Sequence, residues 1–157
     1  MTLTSNEIKL TTIGIIHSPY KQRGDAPRQG RLAEALSEIE VYPEFGDALI
    51  SVEHLSHLIV LYWQDRSDRT MLKSCTPFSE DMVGIFASRS PNRPNPIAFC
   101  VAEIVEIKGN IITVRGLDAL DNSPLLDMKV YSTQIDCVPD VRTDLIPPAY
   151  LASSHEH

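Results

Sequence analysis

Ile97-Ala-Phe-Cys-Val-Ala-Glu-Ile-Val-Glu-Ile-Lys-Gly-Asn-Ile-Ile-Thr-Val-Arg115 contains two strand-like runs, Ile97 to Ile107 and Asn110 to Arg115. Lys108-Gly109-Asn110 between them has the composition of a tight hairpin turn. Short strand-like runs recur on both sides of this hairpin. Thr12 to His17 is β-branched and is stopped by Ser18-Pro19, and Ser37 to Val41 alternates polar and apolar as an outer strand does. Ser56 to Trp63 is a continuous apolar run of strand length, expected at the centre of a sheet; Met82 to Ala87 and Met128 to Tyr131 are two further strands. Helix is scarce: a helical turn over Leu32 to Leu36, and a short helix over Asp47 to Leu55 with Asp47 as N-cap and Leu49, Val52 and Leu55 on one face. Many short strands with turns between them predict a mainly β, single-domain protein, an antiparallel sheet closed or nearly closed into a small barrel. Residues 1–11 read as a flexible leader, 12–140 as the barrel domain and 141–157 as a C-terminal extension, in which Leu145 to Tyr150 is extended.

The strand Met82 to Ala87 runs into Ser88-Arg-Ser-Pro-Asn-Arg-Pro-Asn-Pro96, whose prolines Pro91, Pro94 and Pro96 fix φ and remove donors. The segment must be a stiff, irregular loop. It carries Arg89, Arg93, Asn92 and Asn95 and no acidic residue, and a rigid loop costs little entropy to order on a ligand. A proline-stiffened surface connection is the plain alternative.

Composition limits the possible functions. The chain has 157 residues, 43% of them hydrophobic and 22% charged, as expected of one soluble domain. A net charge of −7 argues against a uniformly basic surface, although a local basic face is enough for nucleic acid. Cys75, Cys100 and Cys137 are widely spaced, with no CxxC and no Cys/His pair, so neither a zinc site nor a disulfide framework is indicated. Reduced thiols, no apolar run long enough to span a bilayer and an N-terminus unlike a signal peptide point to the cytoplasm, with no membrane and no metal.

No GxGxxG, Walker loop, HExxH or GxSxG occurs, and Ser88 and Ser90 have no histidine near them in sequence. His57, on an apolar strand, reads as a core histidine rather than a catalyst. What remains is polar segments at strand ends. The loop Tyr20 to Arg31 holds Lys21, Arg23, Arg28 and Arg31 against Asp25; Gln64 to Thr70 follows the central strand; Asp118, Asp121 and Asp127 punctuate Gly116 to Asp127. Each reads equally as solvated loop or turn chemistry. Gathered at one barrel rim, they would suit a zwitterionic or nucleoside-like ligand, with carboxylates for hydroxyls and amines and arginine for a carboxylate or phosphate.

Phe86-Ala-Ser-Arg-Ser-Pro-Asn-Arg-Pro-Asn-Pro-Ile97 closely resembles the hallmark of the TsaA-like, or TrmO, family. Further matches are Ile13 to Tyr20, Pro27-Arg-Gln29, the His57-Leu58 strand and Gly116 to Tyr131, covering residues 12–140 in order. The resemblance implies a small non-Rossmann β-barrel methyltransferase, homodimeric, with S-adenosyl-L-methionine near the subunit interface. Its implied reaction is methylation of N6 of threonylcarbamoyladenosine at position 37 of transfer RNA. By motif position, Pro27, Arg28, Gln29, Asp65, Arg66, Arg89, Phe99 and the run Asp118, Ala119, Leu120, Asp121 would hold the cofactor. Arg23, Arg31, Arg66, Arg69, Lys73 and Arg93 are candidates for phosphate contacts, against an ordinary role as solvated charges. No residue is assigned as general base. The chain departs from its relatives in reading Asp-Asn-Ser-Pro at residues 121–124 where many have Asp-Gly-Thr-Pro, and Val130 where proline is common. It also ends soon after the barrel, where well-known bacterial members continue into a further domain. Two readings stay beside the first: methyl transfer to another substrate, and a module that binds the cofactor or a nucleotide without turnover.

Overall fold

The computed structural model describes residues 6–26, 34–76 and 79–144. The sequence expectations for Leu32 and Ala33, for Leu145 to Tyr150, and for Pro27, Arg28, Gln29 and Arg31 fall outside these residues. Among the described residues eight strands form: β1 (Gly14–His17), β2 (Leu36–Val41), β3 (His57–Trp63), β4 (Lys73–Thr76), β5 (Ser79–Gly84), β6 (Ile97–Lys108), β7 (Ile111–Arg115) and β8 (Ser123–Val130). Six of them close an antiparallel barrel in the order β1-β2-β7-β6-β3-β8, and β4 and β5 pair as a separate hairpin. The β6–β7 hairpin turns at Gly109, whose φ of 59° is the left-handed conformation that glycine adopts without strain.

The barrel interior is filled by side chains that alternate along each strand. Ile16 and Ile39 meet Leu58, Val60 and Tyr62, and Ile112 and Val114 meet Cys100, Ala102 and Leu125 in one buried cluster. Each fully buried aliphatic side chain contributes about 1.5–3 kcal/mol over leaving it in water. β3 is apolar at alternate and intervening positions because its outer face is partly covered too, with Ile59 only 7% exposed. Leu117 and Ala119, from the segment between β7 and β8, also join the core, so this loop packs down against the barrel instead of standing away from it.

Three local expectations are corrected. Asp47 to Leu55 is not one helix: 3-10 turns over Pro43–Leu49 and Val52–His54 are separated by extended Ile50 and by Ser51 at φ 74°. The face is nonetheless as expected, because Leu49, Val52 and Leu55 all pack on the core. The strand at Met82 ends at Gly84 and passes into a 3-10 turn over Ile85–Ala87. The last strand starts early, at Ser123, with Pro124 inside it; pairing with β3 begins only at Leu125, so Pro124 sits where β8 has no β3 partner. Asn122, in the turn before it, adopts φ 67°, a left-handed conformation that asparagine tolerates best after glycine.

Candidate active site at the barrel rim

The strand registers bring the described parts of the polar segments at strand ends to one end of the barrel. Trp63 pairs with Ile97, Tyr62 with Leu125, Ile16 with Ser123 and Leu36 with Arg115. The connections leaving His17, Trp63 and Arg115, and the proline loop entering Ile97, therefore share that rim.

Backbone and side-chain bonds stitch these loops together. Asp121 accepts from the Ser18 amide at 2.9 Å through Oδ1 and from Lys21 Nζ at 2.6 Å through Oδ2. Its own amide donates to the Tyr20 carbonyl at 2.6 Å, while Ser18 Oγ donates to the Ala119 carbonyl at 2.7 Å. The Lys21 bond and the Ser18 amide hold the Asp121 carboxyl below its ordinary value of 3.8. Since the folded pKa is the lower one, this clasp stabilises the fold above pH 3.8 and loses that contribution as the pH falls through the folded value. The Leu120 carbonyl accepts from Ser123 Oγ at 2.6 Å, closing the same turn. Arg66 crosses from the β3 end, donating to the Asp121 carbonyl at 2.7 Å and to the Lys21 carbonyl at 3.5 Å, and pairs with Asp65 at 3.1 Å.

Asn92 Oδ1 is a second junction. It accepts from the Asp68 amide at 2.9 Å and from the Arg23 guanidinium, so the loops at residues 23, 68 and 92 meet on one atom. Arg69 lies over the Trp63 ring, 5.0 Å from its centroid, and donates to the Pro94 carbonyl at 2.8 Å. Arg93 is half-buried and spends its fork on its own loop, on the carbonyls of Ile85, Ser88 and Ser90. Arg89 is exposed; it donates to the Phe99 carbonyl at 3.1 Å and sits 5.7 Å from the centroid of the Phe99 ring. The Phe99 carbonyl is thus taken by Arg89, and its ring, with the residue 47% exposed, forms a plate with the guanidinium. Lys73 is at the start of β4, in register with Gly84.

At the centre of the rim is Asp118. Its Oδ1 accepts from the Tyr62 hydroxyl at 2.5 Å and from the Cys100 thiol at 3.0 Å, and Oδ2 has no partner among the described residues. Burial, then the Asp118 charge, raise the Tyr62 hydroxyl above its ordinary range and push the Cys100 thiol up to about 12, so both stay protonated donors. The Arg89 charge opposes both shifts, and Tyr20 is raised by burial and by the same Asp118 carboxylate. Arg89, Tyr20, Tyr62 and Cys100 therefore share one electrostatic neighbourhood around Asp118. Tyr62 and Cys100 escaped the sequence reading. The available signal was inward alternation, since a tyrosine at a core position must find a partner for its hydroxyl. Among the described residues no three His, Cys, Asp or Glu side chains gather as a metal site. No helix among them is long and apolar enough to cross a membrane.

Among the described residues, the closed six-stranded antiparallel barrel is a non-Rossmann β-barrel with several polar loops joined at one rim. The chain belongs to the family of the tRNA-methyltransferase O N-terminal domain, whose model matches residues 15–137. It is 50% identical over 129 residues to an S-adenosyl-L-methionine-binding protein of Archaeoglobus fulgidus, covering 82% of this chain and 93% of that protein. A crystal structure of TrmO aligns with a TM-score of 0.77 at 30% identity, over 90% of this chain and 65% of that one. The structure of TrmO from Pseudomonas aeruginosa gives 0.75 at 29%, over 90% and 64%. This chain spans just under two thirds of the length of these two solved relatives.

Proposed function

We propose that this protein is an S-adenosyl-L-methionine-dependent methyltransferase that methylates N6 of threonylcarbamoyladenosine at position 37 of transfer RNA, working as a cytoplasmic homodimer. The observation that carries the reading is the rim of a family barrel on which Asp118 offers a carboxylate oxygen without a partner among the described residues, in the neighbourhood of the Arg89–Phe99 plate. That donor set fits the cofactor. A carboxylate with one open oxygen suits hydroxyl or ammonium donors, and a guanidinium over an aromatic ring suits a flat heterocycle and a carboxylate. When bound, S-adenosyl-L-methionine supplies a sulfonium methyl open to in-line displacement.

The chain's own task is alignment and exclusion of water. Tyr62 and Cys100 fix the Asp118 carboxylate from the barrel side. Asp121, Ser18 and Lys21 hold the 116–122 loop against the first loop, and Arg66 locks both to the end of β3. By the motif resemblance, Pro27, Arg28 and Gln29 are proposed as further cofactor contacts. No side chain is assigned to remove the N6 proton, whose acidity the adjacent carbonyl already raises.

A second reading has its own support: the Archaeoglobus fulgidus relative of nearly matching length is named for binding alone. Titration calorimetry with S-adenosyl-L-methionine, beside Arg89→Ala, tests the shared part. Arg89→Ala is expected to lose at least about ten-fold in affinity, the scale of one charge-assisted contact. A wild-type protein that is folded yet ignores the cofactor would overturn both readings. Formation of S-adenosylhomocysteine on threonylcarbamoylated transfer RNA separates turnover from binding, and sedimentation equilibrium tests the dimer.

A further inference from the structure

A groove of about 800 Å³ opens beside the rim described above, within the range of about 300–1,000 Å³ over which proteins hold small molecules. It runs along the outer face of β6. Cys100 and Ala102 point into the barrel, so Phe99, Val101 and Glu103 stand on the opposite face. Phe99 belongs to the Arg89 plate, whereas Val101 and Glu103 line the groove. At about 3.3 Å per residue, Val101 is about 7 Å from Phe99 along the strand and Glu103 about 13 Å. Gly116, two residues before Asp118, lines the groove as well. The groove and the proposed cofactor site therefore share both β6 and the loop after β7.

Its far end is a row of polar side chains across three strands. Glu103 is in register with His57 of β3 on one side and with Arg115 of β7 on the other, and all three line the groove. His57, read from the sequence as a core histidine, is on the outer face, since its neighbour Leu58 is the inward one. Arg115 Nη1 donates to Glu103 Oε2 at 3.2 Å, and its other nitrogens have no partner among the described residues. His57 Nδ1 and Ser56 Oγ share a bond of 2.8 Å, which leaves Nε2 open among the same residues. Glu34 adds a second carboxylate to the lining. Two carboxylates beside one guanidinium repel a run of phosphates, but they suit a group carrying a single carboxylate next to O–H and N–H donors. A threonylcarbamoyl substituent has that combination: one carboxylate, one hydroxyl and ureido N–H groups. It is bonded to N6, the atom that must meet the cofactor's methyl, so its pocket has to adjoin the cofactor site. We infer that this groove holds the threonylcarbamoyl substituent of the acceptor adenine, with Arg115 on its carboxylate, an inference that rests on the transfer RNA reading above. Arg115 thereby determines specificity for the modified base; it takes no part in holding the cofactor.

The test compares two acceptors: threonylcarbamoylated transfer RNA, and the same RNA with the threonine carboxylate converted to its methyl ester. Wild type, Arg115→Gln and Arg115→Lys are assayed through S-adenosylhomocysteine formation, with cofactor calorimetry and sedimentation velocity beside each. For wild type, kcat/KM is expected to fall at least about ten-fold from acid to ester, the scale of one charge-assisted contact. Arg115→Gln should lose about as much on the acid and no longer distinguish the two RNAs, because both changes remove the same contact. Arg115→Lys keeps the charge without the fork and should retain part of the preference. Cofactor affinity and sedimentation should be unchanged in both variants. Wild type methylating acid and ester equally well overturns the pocket while leaving the transfer RNA reading intact, and this comparison stands even where a variant fails to fold. Arg115→Gln with wild-type discrimination overturns it likewise. A variant that loses the cofactor, or sediments as a smaller species, overturns it by assigning the groove to the cofactor or to a contact between copies. A wild type that methylates neither RNA removes the transfer RNA reading and the pocket with it.

Discussion

Two donors from the barrel strands, Tyr62 and Cys100, meet on one carboxylate oxygen of Asp118. Tyr62 is 2% exposed, and its hydroxyl reaches Asp118 from the core side, so Tyr62→Phe keeps the packing and removes one bond to a charged group. Such bonds contribute about 1.5–3 kcal/mol, so the variant should lose stability on that scale and melt several degrees lower. If the bond also aims Oδ2 at the cofactor, calorimetry should show S-adenosyl-L-methionine binding several-fold more weakly. A lowered melting temperature with unchanged cofactor affinity would reduce Tyr62 to a purely structural role. The sequence marked Asp118 and Asp121 as carboxylates in an apolar setting, but it did not distinguish them. Their partners lie far along the chain, Tyr62 for one and Ser18 and Lys21 for the other, and only barrel closure brings them in. The proline loop was easier to read, because φ restriction is local. Arg93 looked equally available for a ligand, and only the folded loop shows its fork turned onto carbonyls.

Barrel closure depends on β1, the shortest barrel strand, pairing with β2 on one side and β8 on the other. It passes so close to β2 that a Cβ on Gly14 would lie 2.1 Å from the Glu40 carbonyl oxygen and 3.2 Å from Leu125 Cδ2. The first neighbour is backbone and cannot swing aside. Gly14→Ala is therefore expected to cost about 3 kcal/mol by forcing the strands apart, read as a lower denaturation midpoint in urea with an unchanged slope. A midpoint within experimental error of wild type would show that β1 can shift without cost. At this scale the long strands were legible: the β6–β7 hairpin and β3 follow from apolar runs and one glycine turn. The misses occurred where tertiary context overrode local pattern. Ser51 at a left-handed φ breaks the expected helix, and Pro124 is accommodated in β8 because it precedes the β3 pairing. The β4 strand, short and polar, was not read at all; it exists by pairing with β5.

For the whole molecule, the question is how a protein of net charge −7 would hold a polyanion. The described rim loops do not form a basic patch. Lys21, Arg23, Arg66, Arg69, Arg89 and Arg93 stand among Asp25, Asp65, Asp68, Asp118 and Asp121, and several of these cations are engaged within the protein. Arg89, on the acid-free loop, is assigned to the cofactor, so few cations of the described rim loops are left to meet phosphates. Few phosphate contacts mean few released counterions, each worth a slope of about −0.7 on single strands. Transfer RNA affinity measured across a salt series should therefore fall with a log–log slope of only about −2 to −3. The remainder would come from stacking and from the cofactor-bound adenosine site, which salt screens weakly. A slope of about −6 or steeper would mean that the loop cations exchange their carbonyl and carboxylate partners for phosphates, and that the rim rearranges when RNA arrives. In that event Arg23→Ala and Arg69→Ala should flatten the slope by roughly one each. With a rigid rim, the same substitutions should instead loosen the Asn92 and Pro94 contacts and lower stability, leaving the salt slope where it was.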